Sequence, residues 1–413
     1  MKFSIHTLGC KVNQSESDLI EANLKRAGWS VSDLSEQPDY SIINTCTVTA
    51  KSDYQSRQLI RRALRAGSKV IVTGCYSQLR PEEIMAIDKN IEIVDSKNKL
   101  KIANMFLKNN EISKTNISDN RSRPYLKVQD GCNFSCSYCT VPSARGKSRS
   151  IEISEATKIA EEIDASGYKE IVLTGIHLGS YGHDLNPKTN LSKLLKSLLK
   201  NTKIPRFRLS SLEISEIDSE LIELLKEERI CKHLHLPLQS GDNSILRRMN
   251  RMYSVEDYLS VVEFIIKNIP DISIGTDIIV GFPGEGEREF KNTKDLIELI
   301  PLTYLHIFPF SKRPNTLASK MPEQITFSIK KKRVNELKNL NYKKKIAYMK
   351  SHIGKILDII VEQKDMNKTT IGTSANYLKV KTVLNSYPVA SLIRIRISNI
   401  EKDYLVGDPV EKL

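Results

Sequence analysis

The first hundred residues alternate short apolar runs with longer amphipathic stretches. The short runs are rich in Val, Ile and Thr, as is typical of strands, and they read KFSIHTLG, YSIINTC, KVIVTGC and IEIVDS. The first stretch between them predicts a helix from near Ser15 to Gly28, with a residue suited to capping at each end. Strands that alternate with helices form a parallel sheet covered on both faces. Residues 1–108 therefore predict an open parallel α/β domain.

A polar, turn-rich segment at residues 108–123, KNNEISKTNISDNRSR, predicts a linker. The alternation then resumes with six candidate strands: YLKVQ, EIVLTG, RFRLSS, HLHLPLQ, ISIGTDIIVGFP and YLHIFPF. Six units over roughly 190 residues are too few for an eight-fold barrel, which typically needs about 250 residues. Residues 118–349 therefore predict a partial, open (β/α) barrel that ends in a basic helix from about 325 to 350.

The pattern changes again in the last part of the chain. Residues 350–413 are rich in Val, Ile, Thr and Lys with intervening Gly, in GKILDIIVEQ, NYLKVKTV, SLIRIRISNI and YLVGDPV. Such a succession of short β-rich runs predicts a small all-β barrel, a class that often binds nucleic acid.

Positive charge is unevenly distributed along the chain. The sequence carries a net charge of +14 with a pI near 9.2, and residues 312–364 alone hold 14 Lys or Arg against 4 Asp or Glu. Residues 350–413 hold 10 Lys or Arg against 7 Asp or Glu. A solvated surface would explain part of this charge, but its concentration indicates a polyanionic partner and favours nucleic acid.

Composition narrows the class of protein further. A chain of 413 residues is long enough for two to three domains of about 150 residues each. No apolar run approaches the roughly 20 residues that cross a bilayer, and the N-terminal LGC lacks the flanks of a signal peptide. We therefore expect a cytoplasmic protein without membrane contact, in which thiols stay reduced. The odd count of seven cysteines then favours metal ligation over disulfides.

Three cysteines crowd into one loop, DGCNFSCSYC, directly after the first strand of the second domain. Cys132, Cys136 and Cys139 have the spacing C-x-x-x-C-x-x-C, which suits three corners of a cubane iron–sulfur cluster. A structural zinc ion normally takes four ligands, and the loop offers no histidine as a fourth. The loop therefore predicts an iron–sulfur cluster with one iron open to another ligand.

Three further cysteines lie far apart in sequence but at equivalent places in the predicted sheet. Cys10, Cys46 and Cys75 each fall at or just past the C-terminal end of a different strand. In an open α/β sheet these ends form one crevice, so we expect the three thiols to converge. The alternative is that each is a buried apolar residue, as free cysteine often is.

With Tyr138 before its last cysteine, the loop resembles the signature of the radical S-adenosylmethionine enzymes. That resemblance implies that S-adenosylmethionine chelates the open iron of a [4Fe–4S] cluster and is cleaved by one electron to a 5′-deoxyadenosyl radical. A cysteine-bearing α/β domain, a radical core and a small β-barrel, in this order, resemble the methylthiotransferases. This family implies a second [4Fe–4S] cluster on Cys10, Cys46 and Cys75, where sulfur is handled, and a TRAM-like C-terminal barrel that contacts RNA.

The surroundings of the first cysteine trio, TLGCKVNQSES, INTCTVTAKSDYQSRQLIRRA and VTGCYSQ, resemble one bacterial subgroup, the MtaB type. Its members convert N6-threonylcarbamoyladenosine at position 37 of tRNA, 3′ of the anticodon, to the 2-methylthio derivative. Isopentenyladenosine enzymes usually have Gln-Met-Asn where this chain has Lys11, Val12 and Asn13, and enzymes that modify a ribosomal-protein aspartate usually have Pro-Lys-Asn. Both substrates remain alternatives, as does a non-enzymatic, metal-stapled RNA-binding protein.

Other residues at strand ends are candidates for cofactor contact. Gly175, in the LTG run, is by resemblance the counterpart of the segment that meets the methionine amine of S-adenosylmethionine. Ser211, Glu213 and Gln239 stand at strand ends that face the same mouth, and packing or capping is the alternative role for each. No residue is assigned as a catalytic base.

Arg57, Arg61 and Arg65 recur at every fourth position and predict a basic helical ridge near Cys46. This ridge is a candidate for RNA contact, and a solvated helix face is the alternative. The partners implied are tRNA, S-adenosylmethionine, an electron donor such as flavodoxin or ferredoxin, and a sulfur donor.

The last candidates are two alternating histidines and the seventh cysteine. His233 and His235 share one face of the strand HLHLPLQ, and we expect them to be core histidines rather than metal ligands. Cys231 has no thiol companion nearby in sequence, so we expect a packed, inert thiol.

Overall fold

The computed structural model describes residues 1–106, 121–364, 369–383 and 387–410. These residues form a parallel α/β domain, an open (β/α) barrel and a small closed β-barrel, in that order. Most of the predicted linker, residues 108–120, lies outside the described residues, and the boundaries near residues 108, 118 and 350 stay predictions. No helix in the described ranges is both long enough and apolar enough to cross a membrane.

The N-terminal domain is a five-stranded parallel sheet in the order β2-β1-β3-β4-β5. Its strands are β1 (Lys2–Thr7), β2 (Ser30–Val31), β3 (Tyr40–Thr45), β4 (Lys69–Gly74) and β5 (Glu92–Ile93). Its helices are α1 (Lys11–Arg26), α2 (Ala50–Arg65), α3 (Cys75–Leu79) and α4 (Pro81–Met85). The three longest strands, β1, β3 and β4, are therefore adjacent at the centre of the sheet.

Apolar side chains hold helices against both faces of this sheet, as predicted. Ile20 and Leu24 of α1 pack with Ile42 on one face. Ile60 of α2 packs with Ile43 on the other face. Because consecutive strand residues point to opposite faces, the neighbours Ile42 and Ile43 each anchor a different helix.

Helix α1 begins one turn earlier than the capping pattern predicts. It starts at Lys11, directly after Cys10, whereas the sequence favours a start near Ser15. Gly9 has a φ of 100°, which lets the chain turn sharply out of β1. Cys10 then occupies the capping position without a side-chain hydrogen bond. No capping residue marks this start, so the pattern of residues misplaces it.

The central unit is a partial barrel of six parallel strands, which confirms the six predicted strands. Two short strands, β7 (Gln129–Asp130) and β8 (Arg149–Ser150), pair beside it. The barrel strands are β6 (Tyr125–Lys127), β9 (Glu170–Thr174), β10 (Arg206–Leu209), β11 (His233–His235), β12 (Ser273–Val280) and β13 (Tyr304–Pro309). They form two three-stranded sheets, and a parallel bridge between Phe207 and Ile230 joins these at β10 and β11.

Helices cover the outer surface of the barrel. They are α5 (Val141–Arg145), α6 (Ile153–Ala165), α7 (Leu191–Asn201), α8 (Ser219–Lys226), α9 (Asn243–Arg248), α10 (Val255–Asn268), α11 (Glu287–Leu299), α12 (Leu317–Lys320) and α13 (Phe327–Lys350). The last of these is the basic helix predicted from about 325 to 350.

The barrel strands alternate between an apolar outer face and a polar lumen. Ile171, Leu173 and Leu209 belong to the outer hydrophobic core, which is continuous with the helices. Seven of the intervening positions, which point inward, carry polar side chains. They are Glu170, Arg208, His233, His235, Asp277, Tyr304 and His306. A lumen lined by charged and hydrogen-bonding groups is suited to binding a polar molecule.

The tail forms a closed five-stranded barrel, which confirms the small β-barrel predicted from the sequence. Its strands are β14 (Ile356–Lys364), β15 (Thr369–Ser374), β16 (Lys379–Val383), β17 (Leu392–Glu401) and β18 (Tyr404–Pro409). The sequence pattern misses β15 and, in the first domain, β2. Strand β15 reads TTIGTS and lacks the long Val- and Ile-rich run of its neighbours, while β2 has only two residues.

A buried carboxylate joins the N-terminal domain to the barrel. Glu16 of α1 lies 2.6 Å from Lys99 Nζ, 2.7 Å from Lys127 Nζ and 3.0 Å from Arg145 Nη1. Burial alone would raise the pKa of Glu16, but these three cations hold it well below its usual value. Since Lys127 and Arg145 belong to the barrel, this cluster fixes the orientation of the two units.

Candidate active site: two cysteine trios

The three cysteines at the strand ends come together at one edge of the N-terminal sheet. Cys10, Cys46 and Cys75 follow the adjacent strands β1, β3 and β4. Two glycines make the approach possible. A Cβ on Gly9 would lie 2.9 Å from Cys46 Sγ, and a Cβ on Gly74 would lie 2.4 Å from the carbonyl oxygen of Thr45. We call Cys10, Cys46 and Cys75 the strand-end trio.

The thiols of the strand-end trio interact electrostatically. Burial above all, with negative charge on Cys75 or Cys10 added to it, raises the pKa of Cys46 to about 11. Burial also raises the pKa of Cys75, which the guanidinium of Arg145 opposes. These thiols need a cationic metal centre or the Arg145 charge to stay ionised, so the site is suited to ligating metal.

Cys132, Cys136 and Cys139 form a second group, which we call the loop trio. Its chain is folded tightly, with Cys139 N donating to Cys136 O at 3.1 Å and Cys132 N donating to Gly146 O at 3.1 Å. Backbone amides also donate to sulfur. Phe134 N lies 3.4 Å from Cys132 Sγ, and Val141 N lies 3.4 Å from Cys139 Sγ. The three cysteines line a cavity of about 720 Å³.

Two side chains that the sequence analysis did not single out reach the loop trio. Arg251 donates to Cys136 Sγ at 3.4 Å and also pairs with Glu213. His177 Nδ1 lies 3.7 Å from Cys132 Sγ, and its Nε2 pairs with Glu216. Burial lowers the pKa of His177, but its bonds to Cys132 and Glu216 raise it to about 10 overall. Nothing in the spacing of residues along the sequence marks either one.

The spacing of sulfur atoms discriminates between a single ion and a cluster. A tetrahedral zinc ion with bonds of about 2.3 Å would hold its sulfur ligands about 3.8 Å apart. Among the residues that the structure describes, three ligand atoms all within 4.8 Å of one another occur at His235, Asp277 and His306, and at neither cysteine trio. Neither trio is therefore arranged for a single zinc ion, and a set of three thiols suits three corners of an iron–sulfur cluster.

A second cavity, of about 200 Å³, lies where the segment after Cys46 meets the loop trio. Val48 and Thr49, just after Cys46, line it together with Cys139 and Gln239. A hydrogen bond joins the two sides, since Ala50 N donates to Ser311 Oγ at 3.0 Å. The cavity therefore borders the loop trio directly, and the strand-end trio through the residues that follow Cys46.

A buried ion pair reinforces the same junction. Asp53 of α2 pairs with Arg313 from the barrel, and both side chains are almost fully enclosed. Arg80 Nη1 lies 3.3 Å from the same carboxylate. This pair fixes α2, which follows Cys46, against the wall of the second cavity.

The candidate cofactor residues occupy different environments. Gly175 lies against Gln129, where a Cβ would be 2.9 Å from Gln129 Oε1, so close packing requires glycine there. Ser211 is exposed. Glu213 pairs with Arg251, and burial raises the pKa of its carboxyl group. Gln239 has a φ of 66° and lines the second cavity.

The predicted basic ridge on α2 is split by an ion pair. Arg57 donates to Tyr76 Oη at 2.9 Å and lies 3.3 Å from Glu83. Arg61 and Arg65 are exposed. Only the second and third arginines of the ridge are therefore free of an acidic partner within the described part of the chain.

The lumen histidines belong to a hydrogen-bonded chain. Tyr304 Oη lies 2.8 Å from His233 Nε2 and 3.1 Å from His235 Nδ1. Asp277 Oδ1 in turn lies 2.9 Å from His235 Nε2 and 3.2 Å from His306 Nδ1. His233 and His235 are buried, as expected, but His235 belongs to a three-residue group with metal-ligand geometry that the sequence analysis missed.

Cys231 is a free, buried thiol, in line with the packed cysteine expected from the sequence. Its sulfur lies 3.9 Å from Glu170 Oε2, and burial raises the pKa of the thiol to about 11. The group is therefore protonated at neutral pH, and a neutral thiol is a poor nucleophile.

Comparison with known proteins agrees with this architecture. Residues 126–297 match the model of the radical SAM superfamily, and residues 2–95 match the uncharacterized protein family UPF0004. A radical S-adenosylmethionine methyltransferase, TsrM from Kitasatospora setae, has a similar fold, with a TM-score of 0.58 at 16% identity over 77% of this chain and 75% of that one. The fold and the loop trio thus define a radical S-adenosylmethionine enzyme.

Two curated relatives carry the same name, threonylcarbamoyladenosine tRNA methylthiotransferase MtaB. The Aquifex aeolicus protein is 40% identical over 96% of this chain and 100% of its own length. The Bacillus subtilis protein is 37% identical over 98% of this chain and 95% of its own length. The chain belongs to the MtaB family of radical S-adenosylmethionine methylthiotransferases, whose cofactors are [4Fe–4S] clusters and S-adenosylmethionine.

Proposed function

We propose that the protein converts N6-threonylcarbamoyladenosine at position 37 of tRNA, 3′ of the anticodon, to its 2-methylthio derivative. The single observation that carries this proposal is one cavity lined both by Cys139 of the loop trio and by Val48 and Thr49, which follow Cys46 of the strand-end trio. The names of the Aquifex aeolicus and Bacillus subtilis relatives support the choice of nucleoside.

Each trio would hold one [4Fe–4S] cluster. Cys132, Cys136 and Cys139 would hold the one that binds S-adenosylmethionine, and Cys10, Cys46 and Cys75 would hold the other. When bound, these groups would supply one-electron cleavage of S-adenosylmethionine to activate C2–H, together with the sulfur and, from a second S-adenosylmethionine, the methyl group. Three thiolates per cluster leave one iron of each open, as this chemistry requires.

The chain's own residues would position these groups. Arg251 places a positive charge 3.4 Å from Cys136 Sγ, which favours the thiolate and the reduced state of the loop site. The second cavity, which Cys139, Gln239 and Val48 line, would hold the adenine ring beside the loop trio. Gly175, Ser211, Glu213 and Gln239 stay proposed contacts for S-adenosylmethionine, Glu213 also as the partner that orients Arg251.

Each of the three units would carry out a separate part of the activity. Residues 1–108 would carry the sulfur site, residues 118–349 the radical chemistry, and residues 350–413 RNA binding. Arg61 and Arg65 would contact tRNA near the strand-end trio, whereas Arg57 is paired with Glu83. We further propose a cytoplasmic location, an electron donor such as flavodoxin or ferredoxin, and a separate sulfur donor.

The test is a product assay with anaerobically reconstituted enzyme. Anticodon stem-loop RNA that carries threonylcarbamoyladenosine is incubated with S-adenosylmethionine, sulfide and reductant, and the nucleosides are analysed by mass spectrometry. We expect the 2-methylthio product from this RNA and none from RNA that carries isopentenyladenosine. Product from the isopentenyl RNA alone would replace the proposed substrate. Bound zinc without iron would instead support the non-enzymatic RNA-binding alternative.

A further inference from the structure

Lys11 is an enclosed cation at the edge of the candidate site. It is the first residue of α1 and directly follows Cys10 of the strand-end trio. Its side chain is partly buried, and no hydrogen bond or ion pair engages its ammonium group among the residues that the structure describes. A buried charge without a partner is unfavourable, so a cation in this position indicates that a counter-ion arrives with a ligand.

Charged groups that line the barrel lumen act on the ammonium group of Lys11. Arg208 and Arg123 repel it, and Glu170 attracts it. The charge of Lys11 also helps to lower the pKa of His233, which is buried in the lumen. Helix α1 reaches this position because its next turn is bonded to the edge strand β6, with Tyr125 Oη donating to Gln14 Oε1 at 3.1 Å.

The carboxylate that attracts Lys11 is already shared by three arginines. Glu170 lies 2.7 Å from Arg208 Nε, 3.3 Å from Arg123 Nη1 and 3.7 Å from Arg206 Nη1. Arg208 also donates to Ser374 O of the C-terminal barrel at 2.8 Å. Glu170 is thus saturated with positive charge, and Lys11 remains as a surplus cation at this end of the lumen.

The proposed substrate has the anion that this cation lacks. Threonylcarbamoyladenosine carries a free carboxylate on its N6 side chain, whereas an isopentenyl side chain is neutral and apolar. On the adenine ring, N6 lies beyond N1 from C2. The exocyclic bonds at C2 and C6 diverge, so a base that presents C2 to the trios carries its side chain to one side of them, and we place that side chain in the lumen. The polar groups of Tyr304 and His235 there suit the hydroxyl and carbamoyl groups of such a side chain.

We propose that Lys11 is a specificity-determining residue that binds the carboxylate of the threonylcarbamoyl group in the barrel lumen. The inference rests on the proposed function for its substrate and goes beyond it in assigning the recognition of the side chain to one residue. An enzyme that acts on a neutral side chain has no use for a cation here, since the charge would stay unpaired.

The test is a binding cycle with cluster-loaded protein and no reductant. Two fluorescent anticodon stem-loop RNAs are titrated by anisotropy, one with threonylcarbamoyladenosine and one with the threonine carboxylate replaced by a carboxamide. We expect wild type to prefer the carboxylate RNA by about ten- to a hundredfold, as for a hydrogen bond to a charged group. Lys11→Met should bind both RNAs equally, as weakly as wild type binds the carboxamide.

Other outcomes of this cycle overturn the inference. If Lys11→Met lowers the affinity for both RNAs by the same factor and still prefers the carboxylate RNA, Lys11 binds an RNA phosphate instead. If wild type shows no preference, the carboxylate is not recognised in the lumen. Lys196→Met is the matched control, since Lys196 is an exposed lysine on α7 paired with Glu220 at 2.6 Å, and it should leave the preference unchanged.

Two further measurements separate this inference from the proposed function. Iron content and reductive cleavage of S-adenosylmethionine show whether the Lys11→Met protein is correctly folded and loaded. If it is not, the binding cycle is repeated with Lys11→Gln. A wild-type enzyme that shows the preference but never methylthiolates the RNA would contradict the proposed function and leave the carboxylate site standing. A wild-type enzyme that methylthiolates the RNA without preferring the carboxylate would support the proposed function and contradict the carboxylate site.

Discussion

Each cysteine trio offers three thiol ligands, but one is local in sequence and the other is assembled from distant segments. The loop trio lies on ten consecutive residues, Gly131 to Thr140, and hydrogen bonds within and around that loop shape it. The strand-end trio is assembled from the ends of β1, β3 and β4, so it exists only when the sheet is folded. A local site depends on its immediate neighbours, whereas a site assembled from distant segments depends on the whole domain.

The comparison also separates two chemical environments. The loop trio borders an open cavity of about 720 Å³ and has a cation, Arg251, beside one sulfur. Two thiols of the strand-end trio, Cys46 and Cys75, are buried, whereas Cys10 is exposed. The loop site has room for a cofactor such as S-adenosylmethionine, and the strand-end site is accessible only on the side of Cys10.

Removing one cysteine from each trio should give the largest effects and distinguish the roles of the two sites. Cys136→Ala should reduce both cleavage of S-adenosylmethionine and methylthiolation by about a thousandfold or more. Cys46→Ala should abolish methylthiolation to a similar degree while cleavage continues, because the loop trio is intact. Each variant should lose about four irons per chain. Normal tRNA modification by Cys46→Ala would exclude that cysteine from the sulfur site.

Neutralising the buried carboxylate between the units should break the link between the trios. Glu16→Gln leaves Lys99, Lys127 and Arg145 without their shared anion and should lower the free energy of unfolding by about 3 kcal/mol. Because the folded pKa of Glu16 is depressed, its contribution is complete above the unfolded pKa near 4.5 and is lost as pH falls through the folded pKa. Denaturant unfolding of both proteins between pH 8 and 5 should therefore show a constant difference.

Exposed carboxylates provide the control for Glu16. Glu220→Gln removes one partner of the surface pair with Lys196 and should leave unfolding unchanged. Equal, negligible effects of both substitutions would show that the carboxylate at Glu16 is not what joins the units.

A backbone change should damage the strand-end trio alone. Gly74 has a φ of 101°, and a Cβ there would meet the carbonyl oxygen of Thr45 at 2.4 Å. Gly74→Ala should therefore destabilise the fold by about 1–3 kcal/mol and lower the iron content without reducing cleavage of S-adenosylmethionine. Gly28→Ala is the matched control, since its φ is 80° but nothing lies within 4 Å of the added Cβ. Iron loss in both variants would make the effect one of general instability.

The smallest effect should come from a charge beside the loop trio. Arg251→Met removes the donor to Cys136 Sγ and should slow cleavage of S-adenosylmethionine by about tenfold, with a more negative reduction potential for the loop site. Arg248→Met, on the same segment but paired with Glu323 at the surface, should change neither quantity. An unchanged potential in Arg251→Met would remove the electrostatic role assigned to that residue.

The same contrast explains what the sequence could reveal. The loop trio is a spacing motif, and the strand-end trio follows from placing three cysteines at the ends of parallel strands. Arg251 and His177 could not be found in this way, because their contacts with the loop trio cross 115 and 45 residues of sequence. The start of α1 at Lys11 was missed since Gly9 and Cys10, not a capping side chain, begin the helix.

Fold prediction had the same limits. Six barrel strands, the basic helix and the terminal barrel follow from regular apolar patterns that local propensity supports. The short strands β2 and β15 depend on neighbouring strands that pair with them, so no local signal marks them. The group at His235, Asp277 and His306 was missed for a similar reason, since its members come from three different strands.

The most direct test of the central claim is a nucleoside analysis of bulk tRNA from the native host, with and without this gene, by mass spectrometry. The two-trio account predicts that deletion removes 2-methylthio-N6-threonylcarbamoyladenosine while its unmodified precursor accumulates. The wild-type gene should restore the product, and neither Cys46→Ala nor Cys136→Ala should do so. An unchanged profile for this nucleoside after deletion would contradict the account.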